Sequence, residues 1–176
     1  MSGAHPGHGA PDVGGWAGLA RSAAAALESP GGGIEESLVR ELLVFGLDDS
    51  TYAIPVERVR EIVRMRAPTR VPRAPDRLLG VIALRGEVVE VIDLRRSLGF
   101  AGASPGPKSR IIVLHGDVDR VTGLLVDSVE AVLRISEESF WPAVSGDSGS
   151  VVEMCRSEDR FVSVLDVDRL LGVADD

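Results

Sequence analysis

The chain has 176 residues, a formal net charge of -8 and a pI near 4.9, an acidic balance that speaks against nucleic acid as the main partner. Hydrophobic residues make up 44%, aromatics only 4%, and mean hydropathy is +0.14, so a packed core is expected and it must be aliphatic. The single cysteine, Cys155, excludes an internal disulfide and a multi-cysteine metal site, and no apolar run nears the ~18 residues of a membrane span.

Residues 1–38 read as a Gly-, Ala- and Pro-rich extension. Within it Trp16, Leu19, Ala20, Ala23, Ala26 and Leu27 recur at helical spacing, and Ser29-Pro30-Gly31-Gly32-Gly33 stops that pattern as a hinge. No basic residue precedes Arg21, so the start does not resemble a secretory signal. One thiol and no signal fit a reducing, cytoplasmic setting. From Glu41 the texture becomes β-type. Leu42-Leu43-Val44-Phe45 predicts a strand, Asp48-Asp49-Ser50 a turn, and 51–54 the second arm of a hairpin. Val56, Val59, Ile62 and Val63 then follow helical spacing, with Arg58, Arg60, Glu61 and Arg64 between them. Pro68, Pro72 and Pro75 mark an extended connection. Residues 79–84 predict a strand, Arg85-Gly86-Glu87 a tight turn, and 88–92 the partner strand. A linker follows at 101–107, and Glu137-Glu138 after Ser136 reads as the first turn of a short helix.

An internal repeat organises the rest. VVEVIDLRRSLG at 88–99 and FVSVLDVDRLLG at 161–172 agree at six of twelve positions. In each copy a strand ends at an Asp, Asp93 or Asp166, which is suited to cap a short helix. Gly99 or Gly172 closes it, and a positive φ is expected at both. Upstream, 54–59 aligns with 124–129, and Arg64 falls on Arg134. Residues 41–99 and 111–172 are therefore two versions of one unit. The expected fold is mostly β: two tandem five-stranded barrels within 39–174, with short helices and little else.

Charge is distributed unevenly. Residues 58–96 hold ten Arg against five acids, whereas 111–176 hold five Arg against fourteen acids. A basic middle in an acidic protein suggests either a surface used for a partner or a solvated face. Catalytic constellations are not found. His5, His8 and His115 have no spacing that would hold a metal, and Cys155 has no neighbouring His. Gly31-Gly32-Gly33 is followed by Ile34-Glu35-Glu36, which is not a phosphate loop, and Asp117 and Asp119 lack the carboxylate that completes a calcium loop. No catalytic residue, metal or cofactor is expected, and a binding module is favoured over an enzyme or a small-molecule-binding double barrel. Two charged positions stand out. Arg85, before Gly86 at a hairpin apex, can present its guanidinium to a partner carboxylate or serve as a solubilising turn residue. Glu61, beside Val59 and Ile62, can project outward or form a surface ion pair. Val59 fits either core or an exposed apolar patch.

The stretch TYAIPVERVREIVRMRAPTRVPRAPDRLLGVIALRGEVVEVIDLRRSLG resembles the CheW family, the coupling scaffolds of bacterial chemosensory arrays. The matching residues are Tyr52, Val59, Glu61, Ile62, Thr69, Arg70, Pro72, Pro75, Gly80, Val81, Leu84, Arg85, Gly86, Asp93 and Leu94. The resemblance extends over about 40–173, including the second-half strand RIIVL. It implies two SH3-like barrels and a non-enzymatic adaptor. One surface would bind the cytoplasmic hairpin tip of a chemoreceptor and another the regulatory domain of a CheA-type histidine kinase, with self-association in arrays, no nucleic acid and no membrane insertion. It assigns partner contacts to Val59, Glu61, Ile62, Arg85 and Gly86. Two departures are Ala83, where the family usually has Asn, and Glu90, where it usually has Pro. They suggest a degenerate or specialised copy serving a chemosensory system other than flagellar swimming. No receiver sequence follows 172, so a form fused to a response-regulator domain is not expected.

Overall fold

The computed structural model describes residues 38–116, 120–144 and 149–172, so the helical pattern expected around Trp16 lies outside the described residues. Eleven strands among them form two antiparallel-rich sheets. Strands β1 (Val39–Leu47), β2 (Ser50–Pro55), β3 (Val59–Arg64), β4 (Leu78–Leu84) and β5 (Glu87–Asp93) come from the first half. Strands β6 (Arg110–Leu114), β7 (Val121–Val126), β8 (Ser128–Ser136), β9 (Phe140–Pro142), β10 (Val151–Ser157) and β11 (Arg160–Leu165) come from the second. Two short helices, α1 (Leu94–Ser97) and α2 (Val167–Leu171), close the halves.

The halves 41–99 and 111–172 do not form one barrel each. Sheet order is β8-β1-β2-β11-β10-β9 in one sheet and β3-β6-β7-β5-β4 in the other. Under the sequence repeat β1, β2, β3, β4 and β5 correspond to β6, β7, β8, β10 and β11, and the two orders map onto each other with β9 as the single addition. Each half thus lends its first hairpin to the sheet built on the other half's last strands. The junction is a parallel pair in both sheets: Tyr52 opposite Ser163 between β2 and β11, and Val91 opposite Gly123 between β5 and β7. Exchange of the hairpins lets both faces of β1 and β6 be buried, which explains their uninterrupted apolar runs.

Three clusters follow from strand alternation. Leu42 and Val44 face Ala53, Cys155, Val162 and Val164 inside the six-stranded sheet. Ile111 and Val113 face Ile82, Leu84, Val89 and Val91 inside the five-stranded one. Each inner cluster draws on every strand of its sheet, so each sheet curls into a barrel. The intervening residues Leu43, Phe45, Ile112 and Leu114 pack together with Leu94 and Leu170 in a third core between the sheets. Gly123 has no room for a side chain, since a Cβ would lie 2.5 Å from Ile111, and its repeat counterpart Ala53 is also small. Cys155 is buried, and desolvation raises its thiol pKa, so it is a small apolar core residue.

The capping chemistry matches expectation. Asp93 accepts from the Arg95 N–H at 3.0 Å, and Asp166 accepts from the N–H groups of Asp168 and Arg169 at 2.9 and 3.0 Å. Gly99 and Gly172 have φ of 83° and 72°. Glu137–Ser139 forms a single 3-10 turn. Helical spacing at 56–64 was misleading. Only Val56–Arg58 is helical, as one 3-10 turn, and Val59–Arg64 is strand β3. A bulge between Val59 and Glu61 shifts the alternation, so Val59 and Ile62 share a face and mimic an i, i+3 pair.

Candidate partner interface

Strands β3 and β8 are edge strands of the two sheets and counterparts under the repeat. Their registers agree in detail. Val59 lies opposite Leu114 and Ile62 opposite Ile112, while Val129 lies opposite Phe45 and Val132 opposite Leu43. All four valine and isoleucine side chains, with Val56, are only partly buried and pack on the inter-sheet core. Here that core reaches the surface as an apolar strip on each half. Val59 and Ile62 therefore stand on this strip, whereas Val63 faces the five-stranded barrel's interior cluster.

Arg85 and Gly86 form the tip of the β4–β5 hairpin, with φ of 50° and 81°. Left-handed conformation at both central residues is the type I′ geometry that matches strand twist. Glu61 is not displayed free at the surface. Its side chain is 17% exposed and pairs with the Arg85 guanidinium at 3.1 Å, while Arg85 itself is 74% exposed. Arg60 pairs with Glu87 just beyond, so two ion pairs of opposite polarity tie β3 to the hairpin tip and close the barrel on that side. The five predicted residues thus divide into an apolar pair, Val59 and Ile62, and a charged tip, Glu61 with Arg85 and Gly86. Val56, Val129, Val132, Arg60 and Glu87 complete the surface and were not singled out from sequence. The repeat alignment of Val59 with Val129 was the signal that could have found the second strip.

The departures also have a place. Glu90 is paired with Arg120 at 3.1 Å, and the Ala83 carbonyl accepts from Arg66 at 3.3 Å. Glu90 and Arg120 line a cleft of about 370 Å³ with Arg58, His115 and Asp168. Its carboxylates are already committed, since Asp168 takes a two-pronged hydrogen bond from Arg58 at 2.7 and 2.9 Å. Among the described residues no group of three or more His, Cys, Asp or Glu is placed to hold a metal ion. None of their helices is long and apolar enough to cross a membrane.

A family model described as CheW-like domain matches residues 41–175. The chain is 34% identical over 138 residues to a probable chemotaxis protein CheW of Rhizobium etli, covering 76% of this chain and 88% of that one. It is 31% identical to protein FrzA of Myxococcus xanthus, covering 77% and 87%. Among solved structures it resembles the scaffolding protein TtCheW from Thermoanaerobacter tengcongensis, with a TM-score of 0.67 and 28% identity over 73% of this chain and 90% of that one. The shared pattern and the two-sheet fold agree, and the chain belongs to the CheW-like family of chemotaxis scaffold proteins.

Proposed function

We propose that the protein is a non-enzymatic adaptor that couples a chemoreceptor's cytoplasmic hairpin tip to the regulatory domain of a CheA-type histidine kinase. The observation that carries this reading is the pair of partly buried apolar strips on β3 and β8, with the charged Arg85 tip beside the β3 strip. Apolar surface next to a polar rim is the composition of a docking face, and the strips suit the apolar side of a receptor helix. Arg85 and Gly86, at the charged hairpin tip next to β3, suit a second partner. Binding both at once raises their effective concentration and fixes their geometry, which is how a protein without an active site can alter a reaction. Its setting would be the cytoplasm, at membrane-associated receptor arrays, where it would also self-associate. A second reading is a specialised copy serving a system other than flagellar chemotaxis, which the departures at Ala83 and Glu90 favour.

The test is kinase autophosphorylation with a receptor signalling fragment, with and without this protein. Kinase output is expected to change only when the receptor is present. An unchanged rate with a receptor and kinase from the same organism would remove the coupling role for that pair.

A further inference from the structure

The arginine-rich middle of the chain is only partly used by the surface described above. Between β3 and β4 the chain runs through 65–77 as a strap with Pro68, Pro72 and Pro75. The strap is pinned to β4 by two backbone hydrogen bonds: the Thr69 N–H donates to Val81 O at 2.8 Å, and the Val81 N–H donates to Thr69 O at 2.9 Å. Gly80 permits this approach, since at its φ of 144° a Cβ would fall 2.2 Å from Thr69 O. Arg64, Arg66, Arg70, Arg73 and Arg77 are all exposed along this element, with Asp76 the only acid among them. Arg66 donates to Ala83 O. Among the described residues, Arg64, Arg70, Arg73 and Arg77 enter no ion pair, although thirteen ion pairs join other charged side chains.

We propose that this strap is a docking site for a carboxylate-rich protein segment, separate from the apolar strips and the Arg85 tip. Like charges recurring every three or four residues from Arg66 to Arg77, on a backbone fixed by prolines and hydrogen bonds, repel one another, and an acidic segment relieves that repulsion. The guanidinium fork takes carboxylates in pairs, and a strap held in place by its own hydrogen bonds and prolines loses little further freedom on binding. Nucleic acid fits less well. No aromatic residue lies between Tyr52 and Phe100 to stack a base, and the rest of the chain is acidic. A lipid surface fits less well too, because Val71 is the one large apolar side chain the strap exposes.

The probe is a fluorescein-labelled peptide of ten glutamates, titrated with the full chain and followed by anisotropy at low and moderate salt. Binding that weakens with salt is expected, and the R70E/R73E double variant should weaken it by about tenfold or more. R156E/R160E makes the same change in net charge on the other sheet and should retain the parental affinity. Thermal melts accompany each protein. If R70E/R73E melts below the parent, R70Q/R73Q replaces it and should still bind several-fold more weakly. Equal losses in the strap and control variants would overturn the proposal, as would no binding by the parent. So would tighter binding of a ten-residue oligodeoxythymidine or of phosphatidylglycerol vesicles than of the peptide.

Discussion

Arg85 occupies a backbone position that Gly or Asn fills with less strain. A non-glycine residue at φ of 50° carries roughly 1 kcal/mol of steric cost. The compensating contact is the ion pair with Glu61, of which the Arg85 end is largely in solvent, so it contributes at most about 1 kcal/mol. Arg85→Gly should therefore leave the melting temperature near the parent's while weakening partner binding; a parental affinity would make Arg85 a plain turn residue. The pairing also changes how charge reversal reads out. Glu61→Arg alone places two arginines together, whereas E61R/R85E restores the pair with reversed polarity. The double variant should melt like the parent yet still fail to bind receptor or kinase domain, and recovered binding would show that only the internal pair matters. Gly99 and Gly172 pose a simpler backbone case. No side chain crowds Gly99, so Gly→Val at either position acts through φ and should cost about 1–2 kcal/mol. Overlaid thermal melts would contradict this.

At the scale of elements, β3 and β8 are repeat counterparts with the same bulge, the same register on their neighbours and partly buried apolar residues at the same places. If the strips form one receptor-binding surface, V129A/V132A should weaken receptor-fragment binding about as much as V59A/I62A, on the order of tenfold for each pair. Parental affinity for V129A/V132A would confine the contact to β3. The bulge residues differ in sign, Arg60 against Glu130, as do the hairpin tips, Arg85 against Glu158. The repeat kept its backbone while its charges diverged, so the two barrels present opposite charge at equivalent places.

At the scale of the molecule, the exchanged hairpins make the two halves interdependent. A half expressed alone would leave both edges of its hairpin unpaired and the inter-sheet core open to water. Residues 39–103 and 104–176 are therefore each expected to be unfolded alone by circular dichroism and to regain β structure on mixing. A folded isolated half would contradict the exchanged topology. Two clasps of reversed polarity reinforce the exchange. Arg58, just after β2, holds Asp168 of α2. Arg95 of α1 holds Asp127, just after β7, at 3.0 Å from its Nε. Arg95 and Asp168 are repeat counterparts. The Arg58 hydrogen bond lowers the Asp168 carboxyl below its ordinary 3.8. Asp127 is also lowered: burial opposes this, but hydrogen bonds from Arg95 and from the Asp48 N–H outweigh it. A carboxyl with a depressed folded-state pKa stabilises the fold above its unfolded value and loses that contribution as pH falls. Stability should thus decline as pH drops below about 3.8, and D127N/D168N should show a shallower acid decline. Identical acid limbs would show that the clasps contribute nothing.

Much was legible from local chemistry because local chemistry decided it. The hairpins at 42–54 and 79–92, the aspartate caps at Asp93 and Asp166, the positive φ of Gly99 and Gly172, and the repeat itself depend on residues a few positions apart. The helical spacing at 56–64 misled because a bulge, fixed by pairing with β6 from the other half, reproduces a period of three on a strand. The same limit hid the pairing of Glu61 with Arg85, which lie far apart in sequence and meet only when the barrel closes. The sequence by itself determined the hairpins at 42–54 and 79–92, the caps, the two-unit organisation and the family. Tertiary structure alone decided which half completes which barrel, because each apolar hairpin could in principle pair with its own half or with the other. Burying both faces of β1 and β6 at once, one inside a barrel and one between the sheets, is achieved here by the exchange.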